Sequence, residues 1–199
     1  MDPELQEEIF ECIAVIVSAG FTPTREKVLE TIEDTFYGEE IDLTLIGQEI
    51  DRAIAAKREE EKSWDAVTDF DRLRECFTEL DERGIVVVHY AGHTQSDGFE
   101  DASDRYTQKK EEGIACEGYC FYHSQDVERA IDGDGLCLAF GVFELPENEG
   151  VRIGQTIVEA LKKQGFSVVW NGTIKTRILI QPFRWQKRLG SKPSYGQEK

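Results

Sequence analysis

Two apolar runs that each end in a cluster of polar residues constrain the fold of this chain more than any other feature. The first run covers residues 85–91 and leads into the polar stretch 92–98, and the second covers residues 119–123 and leads into residues 124–126. Each run has the length of a strand, and a helical pattern follows each polar cluster. The sequence therefore predicts two strand-to-helix units that present polar side chains at one edge of a sheet.

The apolar pattern before these runs predicts helices. Three helices are expected over the first 64 residues, and a fourth helix, capped by Thr68, ends at Gly84. Between the two runs, we predict a turn at Asp97-Gly98 and a helix over residues 98–112. All three histidines of the chain lie within this central region of 43 residues, from Gly84 to Asp126.

The chain after the second run predicts two helices, one from Ser124 and one that ends at Gly165, and three further strands. Residues 136–143 are nearly all apolar, which indicates a central strand, and Asn171-Gly172 is a turn signal within a final hairpin. We therefore predict an α+β fold, a mixed five-stranded sheet with packed helices, preceded by an acidic helical N-terminal segment. The mixed-charge run at residues 57–62 suggests boundaries that divide the chain into segments 1–64, 65–189 and a flexible tail, 190–199.

The acidic residues are concentrated in the first part of the chain. The net charge is -17, and residues 1–84 hold 24 Asp and Glu against 9 Lys and Arg, whereas residues 85–199 hold 16 against 14. So acidic a segment would repel phosphates, which argues against a nucleic-acid partner and against an anionic membrane surface. The acidic helices are expected to be either a docking face for a basic protein partner or a solvated surface.

The start of the chain and its cysteines predict a cytoplasmic protein. The first eight residues are acidic where a secretory signal would be basic, and the apolar run 13–17 is too short to span a bilayer. Five cysteines at irregular spacing are typical of reduced thiols rather than of a disulfide framework.

A zinc site is one alternative for the central region. Cys116, Cys120 and His123, with His89 and His93 nearby, supply zinc-binding ligand types. However, Cys120 and His123 are an odd number of residues apart, so a regular strand would direct them to opposite faces. We therefore predict no metal ligand and no cofactor, and we expect His89 to be a core residue.

Acid–base catalysis is a second alternative, because parallel strands would bring the two polar clusters into one cleft. The candidate catalytic residues are His93, Asp97, His123 and Asp126. Ser124, Ser96 or Cys120 could then act as a nucleophile beside a histidine that an aspartate orients. The neighbouring residues that are candidates for binding are Thr94, Gln95, Ser96, Tyr122, Ser124 and Gln125.

The same residues also have structural explanations. Ser124 suits the cap of a helix, Asp126 suits the positive end of that helix, and Asp97-Gly98 suits a turn. The sequence has no Gly-x-Ser-x-Gly elbow, phosphate-binding loop or dinucleotide fingerprint.

Recognition of a partner without chemistry is a third alternative. Six aromatic residues could form an anchor surface, although at least half of them should belong to the core. They are Tyr90, Tyr119, Phe121, Tyr122, Trp170 and Trp185.

Several motifs carry a resemblance to an uncharacterised bacterial domain family. They are Gly92-His-Thr-Gln-Ser-Asp-Gly98, Gly118-Tyr-Cys-Phe-Tyr-His-Ser-Gln-Asp126, Gly135-Leu-Cys-Leu-Ala-Phe-Gly141 and the hairpin residues Val168-Val-Trp-Asn-Gly172. The resemblance covers roughly residues 64–189, and we expect the N-terminal helices to lie outside it. The family has no established activity, so the resemblance implies no role for these loops.

The sequence thus favours a non-enzymatic, cytoplasmic protein-interaction or regulatory module with an acidic docking face. The alternative is a hydrolase-type or metal-dependent enzyme with a His/Asp site at the ends of the first two strands.

Overall fold

A computed structural model describes residues 1–22 and 24–191 of the chain. Its described residues form two compact units. The helical unit consists of residues 1–68 together with residues 186–191, and the sheet unit consists of residues 69–185. The predicted flexible tail, 190–199, lies almost entirely outside the described residues.

Three helices build the helical unit: α1 (Pro3–Ala19), α2 (Arg25–Thr35) and α3 (Leu43–Glu61). Each begins at a polar cap, because Asp2, Thr24 and Asp42 accept hydrogen bonds from backbone N–H groups of the first turn. Gly20 ends α1 in the left-handed conformation, with φ at 76°. The apolar faces of the helices meet in one core, which contains Ile9, Ile13, Val17, Val28, Ile32, Ile46, Ile50 and Ile54.

Two lysines are buried inside this acidic unit. The Lys57 ammonium donates to the carbonyl of Ser18 at 2.6 Å, and the Lys187 ammonium donates to the carbonyl of Gly20 at 2.7 Å. Both carbonyls lie at the C-terminal end of α1, where the helix dipole favours a positive charge. Burial nevertheless lowers the pKa of Lys57 to about 8, and the carboxylates of Glu60 and Glu61 oppose that shift.

The sheet unit has five strands and four α-helices in its described residues. In chain order they are α4 (Asp69–Glu82), β1 (Ile85–Val88), α5 (Gln95–Glu111), β2 (Gly118–Phe121), α6 (Ser124–Ile131), β3 (Leu136–Val142), α7 (Gly150–Lys163), β4 (Val168–Val169) and β5 (Ile178–Ile180), with a short 3₁₀ turn at Glu147–Glu149 before α7. The strand order is β1-β2-β3-β5-β4. Only the β1–β2 pair is parallel, and the other three pairs are antiparallel. The predicted α+β fold with a mixed five-stranded sheet is confirmed, and β3 is its middle strand.

Both strands end earlier in the chain than predicted, β1 before residue 91 and β2 before residue 123. β1 ends at Val88, and α5 begins at Gln95 rather than at residue 98. The predicted turn at Asp97-Gly98 is therefore wrong, since both residues lie in the first turns of α5. Gly98 is required there by close packing, because a Cβ atom at this position would lie 2.4 Å from the ring of Phe121.

Two further features concern disulfide bonds and membrane-spanning helices. None of the five cysteines forms a disulfide bond. Among the described residues, no helix combines the length and the apolar character that crossing a lipid bilayer requires.

Candidate functional site

The polar segments that follow β1 and β2 lie side by side. The parallel pairing of the two strands places both of their carboxyl ends at one edge of the sheet. Two backbone hydrogen bonds join the segments, from Ala91 N–H to the carbonyl of Tyr122 at 2.8 Å and from Ser124 N–H to the carbonyl of Gly92 at 3.1 Å. The condition under which the two polar clusters could share one cleft, that the strands are parallel neighbours, is therefore met.

An unusual backbone conformation shapes the first of these segments. Tyr90 and Gly92 both have φ at 56°, and Tyr90 is the one described residue other than glycine with a positive φ. A Cβ atom at Gly92 would lie 2.4 Å from the Cβ atom of Asp97. The tight turn therefore needs glycine at this position, and it brings His93 over the start of α6.

His93 contacts the first two residues of α6. Its Nδ1 atom lies 2.8 Å from Ser124 Oγ, and its Nε2 atom lies 3.3 Å from the side-chain amide of Gln125. His93 is exposed, whereas Ser124 is buried. The distance between Ser124 Oγ and His93 Nδ1 is that of a nucleophile and its general base.

Asp97 does not orient His93 through the imidazole ring. Its Oδ2 atom accepts hydrogen bonds from the backbone N–H groups of Thr94, at 2.8 Å, and His93, at 3.2 Å. The Asp97 N–H in turn donates to Thr94 Oγ1 at 3.3 Å, which completes a capping box at the start of α5. Hydrogen bonds from Thr94 and a smaller contribution from His93 lower the pKa of Asp97. The Asp97 carboxylate therefore serves to begin the helix.

The second histidine belongs to a buried ionic cluster with Asp126 and Arg177, which we call the His123 cluster. His123 Nε2 lies 3.2 Å from Asp126 Oδ2, and Arg177 Nη2 donates to that same carboxylate oxygen. Asp126 Oδ2 also accepts from the backbone N–H of His123 at 3.1 Å. Arg177 Nη2 donates further to the carbonyl of Cys137 at 3.1 Å. Asp126 is only 2% exposed, so Arg177 is the fixed cation beside a buried carboxylate.

The protonation of His123 follows from its surroundings. Burial is the largest cause that lowers the pKa of His123, and Arg177 and His93 lower it further, against the opposing charge of Asp126. The ring is therefore neutral at neutral pH, and Nε2–H is the tautomer suited to donate to Asp126. Its buried Nδ1 atom has no hydrogen-bond partner among the described residues.

The two pairs together contain the parts of a catalytic triad, but they do not form one. A triad requires one histidine that contacts both the nucleophile and the acid. Here Ser124 contacts His93, whereas Asp126 contacts His123. The arrangement supports proton exchange between Ser124 Oγ and His93 Nδ1. The other ring nitrogen, Nε2, contacts the amide of Gln125 rather than a carboxylate.

Sequence reasoning missed Arg177. The β3–β5 pairing, in which Leu138 is the partner of Ile178, places Arg177 beside the carbonyl of Cys137 and near Asp126. Asp126 and Arg177 are 51 residues apart, and only the strand order brings them together. The available signal is a single arginine directly before the apolar strand β5.

The remaining candidate binding residues divide between surface and core. Gln95 and Ser96 are exposed in the first turn of α5. Tyr122 is wholly buried, and its hydroxyl lies 2.7 Å from Nδ1 of His89, which is buried as expected. Phe121 is wholly buried as well, and the other four aromatic candidates, Tyr90, Tyr119, Trp170 and Trp185, are half-buried.

The cysteine and histidine ligand types do not converge. Within the described part of the chain, no group of three His, Cys, Asp or Glu side chains could hold a metal ion. Cys120 is fully buried, and this burial raises the pKa of its thiol well above the usual value.

Comparison with known proteins gives a family but no activity. No curated protein and no solved structure matches the chain. The family model for a domain of unknown function (DUF6891) matches residues 2–189. The match includes all three helices of the helical unit, so the expectation that the N-terminal helices lie outside the family is wrong. The chain therefore belongs to the DUF6891 family over almost its whole length.

Proposed function

We propose that the protein is a non-enzymatic interaction or regulatory module that docks a basic partner on its acidic helical unit. The distribution of charges in this unit carries the proposal. The residues that form this unit, 1–68 and 186–191, contain 18 Asp and Glu against 8 Lys and Arg. Sixteen of these acidic residues are exposed, and Glu49 and Glu61 are half-buried. Burial removes Lys57 and Lys187 from the surface, so the exposed charge is more negative than the composition alone implies.

A surface that carries mostly negative charge favours association with a surface that carries positive charge. It accelerates encounter with a basic protein and disfavours acidic competitors, and both effects weaken with ionic strength. The His123 cluster has no part in this proposal, because its charges are paired with one another and buried.

The first prediction concerns neutralisation of this surface. A variant with six exposed glutamates of α1 and α2 replaced by Gln is expected to bind a captured basic partner about tenfold more weakly. The positions are Glu7, Glu8, Glu11, Glu26, Glu30 and Glu33. The partner is captured from the source cell lysate, purified, and titrated against the wild type and the variant by calorimetry at two salt concentrations.

A matched variant controls for net charge. Six exposed glutamates of the sheet unit are replaced by Gln, at Glu75, Glu82, Glu100, Glu111, Glu112 and Glu159. We expect this variant and His123→Ala to retain the affinity within about threefold. An equal loss in both six-site variants would show that net charge alone governs binding, and would contradict a docking face on the helical unit.

A second candidate function is hydrolysis by acyl transfer, which the 2.8 Å distance between Ser124 Oγ and His93 Nδ1 favours. Ser124 is the first residue of α6, so the backbone N–H of Gln125 belongs to a helix turn whose donors lie outside the intrahelical ladder. In this mechanism His93 accepts the Ser124 proton as the oxygen attacks a carbonyl carbon, and the Gln125 N–H is the candidate donor to the developing oxyanion. The intermediate then breaks its bond to the leaving group, which takes the proton from His93, and a water molecule that His93 deprotonates hydrolyses the acyl-enzyme and returns the proton to Ser124.

The second prediction tests this mechanism. If Ser124 is a nucleophile, a fluorophosphonate reagent is expected to label it, and Ser124→Ala is expected to abolish labelling. His93→Gln should slow labelling about a hundredfold, because the general base is lost. Ser96→Ala is the matched control, since Ser96 is exposed in the first turn of α5. Labelling that persists in Ser124→Ala, or no labelling of the wild type, would exclude this candidate.

A further inference from the structure

A groove on the acidic helical unit offers one specific place where a partner could bind. It lies between α1 and α3, has a volume of about 450 Å³, and we call it the α1–α3 groove. Its lining residues are Pro3, Gln6, Glu7, Phe10, Glu11 and Ala14 of α1 and Glu49 and Arg52 of α3. The α1 residues recur every three or four positions, so they form one stripe along the helix.

The floor of the α1–α3 groove is apolar. Ile9, Ile13 and Val17 of α1 point into the core of the unit and are buried. Phe10 and Ala14 follow Ile9 and Ile13 by one position each and form a second stripe, in which Phe10 is half-buried and Ala14 is exposed. Phe10 also packs against the apolar core of the unit, so a partner's apolar side chain would contact the accessible edge of Phe10 and the side chain of Ala14.

The rim of the groove is negative. The guanidinium of Arg52 binds Glu49 through two nitrogens, at 2.8 and 2.6 Å, so its charge is neutralised within the rim. Glu7 and Glu11 are exposed, and within the described residues neither forms an ion pair. Two uncompensated carboxylates therefore flank the apolar floor.

A segment of the chain itself shows how the helical unit holds a basic and apolar sequence. The Lys187 ammonium donates to the carbonyl of Gly20 at 2.7 Å, and the guanidinium of Arg188 donates to the carbonyl of Asp65 at 2.7 Å. Leu189, which follows them, packs against the apolar core of the unit. The Lys187 contact lies at Gly20, past the end of α1, whereas the groove is lined by α1 residues from Pro3 to Ala14.

We propose that the α1–α3 groove docks an amphipathic helix of a partner protein, with a leucine-type side chain over Phe10 and Ala14 and with lysine or arginine beside Glu7 and Glu11. This proposal rests on the proposed interaction function and specifies the site and the partner chemistry. A helix suits the groove because the groove runs along α1, and residues three and four apart on a helix meet such a stripe.

A peptide titration tests the proposal. The probe is a fluorescein-labelled 18-residue peptide of Leu and Lys with the leucines on one helical face, measured by fluorescence anisotropy with the full-length protein. We expect saturable binding, and binding at least about fivefold weaker for a peptide of the same composition in scrambled order. The double change Glu7→Lys/Glu11→Lys is expected to weaken binding of the amphipathic peptide about tenfold.

The matched control is Glu30→Lys/Glu33→Lys, which makes the same charge change at exposed positions of α2. We expect it to weaken binding less than threefold. A third variant, Ala14→Arg, fills the groove at an exposed position where the core is not disturbed, and it should also weaken binding.

The outcomes distinguish binding in the groove, binding to the wider acidic surface, and no binding to either. Equal losses in the two double variants would overturn the groove and leave the acidic docking face standing. Equal binding of the ordered and scrambled peptides would do the same, because charge alone would then explain the affinity. If neither peptide binds the wild type at low salt, both the groove and the acidic docking face are overturned.

Discussion

Replacement of Arg177 by Met is expected to lower the free energy of unfolding by about 2–3 kcal/mol. The guanidinium holds two buried acceptors, Asp126 Oδ2 and the carbonyl of Cys137. Asp126 is 2% exposed, so the variant leaves a carboxylate that neither water nor another fixed cation stabilises. The Arg177 side chain is 29% exposed, which places the effect toward the lower end of the range for buried ion pairs.

The effect of this substitution should depend on pH. Arg177 lowers the pKa of His123, so its removal raises that pKa and lets a protonated His123 pair with Asp126. A raised pKa in the folded state contributes stability at low pH that is lost as pH increases. The destabilisation by Arg177→Met should therefore be smaller at pH 5.5 than at pH 8.

Urea denaturation of both proteins at the two pH values measures this difference, and NMR titration of the histidine resonances reports the pKa of His123 directly. Lys175→Met is the matched control, because Lys175 is exposed on the same hairpin. In the double variant Arg177→Met/Asp126→Asn, at least half of the lost stability should return, since the buried charge is gone. Similar losses for Arg177→Met and Lys175→Met would contradict a specific role for the His123 cluster.

The sheet could be predicted because its signals are local. The run at β3 is apolar on both faces because neither face of this strand is exposed, and this pattern indicates a middle strand. The apolar runs at β1 and β2 are each followed by a capped helix. The start of α5 was missed for a physical reason. An Asp-Gly pair is typical of a turn, and this pattern predicts one at residues 97 and 98. In the structure Asp97 completes a capping box with Thr94, and Gly98 leaves space for the ring of Phe121.

The candidate site could be predicted only in part, because its partners are set by non-local packing. The sequence predicts His93, Asp97, His123 and Asp126 near the carboxyl ends of the first two strands, and the parallel pairing of β1 and β2 brings these ends to one edge. It could not assign which histidine meets the serine and which meets the aspartate, because those contacts depend on the turn at Gly92. Arg177 immediately precedes β5, which no local pattern connects to α6.

Replacement of Lys187 by Met is expected to destabilise the helical unit by about 2–3 kcal/mol. The ammonium is 1% exposed and donates to the carbonyls of Gly20, at 2.7 Å, and Ser191, at 2.8 Å. It also lies 4.8 Å from the centre of the Phe21 ring. Methionine has a similar length but no donor, so both carbonyls would lose a charge-assisted hydrogen bond, and the segment 186–191 would lose an attachment to the helices.

Hydrogen exchange distinguishes this local role from a general loss of stability. The backbone N–H of Leu189 donates to Glu61 Oε1 at 2.7 Å, so its protection reports whether segment 186–191 remains bound. In Lys187→Met this amide should exchange faster relative to the core amides of α1. Lys62→Met, which removes an exposed ammonium paired with the exposed Glu59, should change stability by less than about 0.5 kcal/mol. Unchanged protection at Leu189 in Lys187→Met would mean that Leu189 and Arg188 alone hold the segment, and that burial of the ammonium in so acidic a unit is not what orders it.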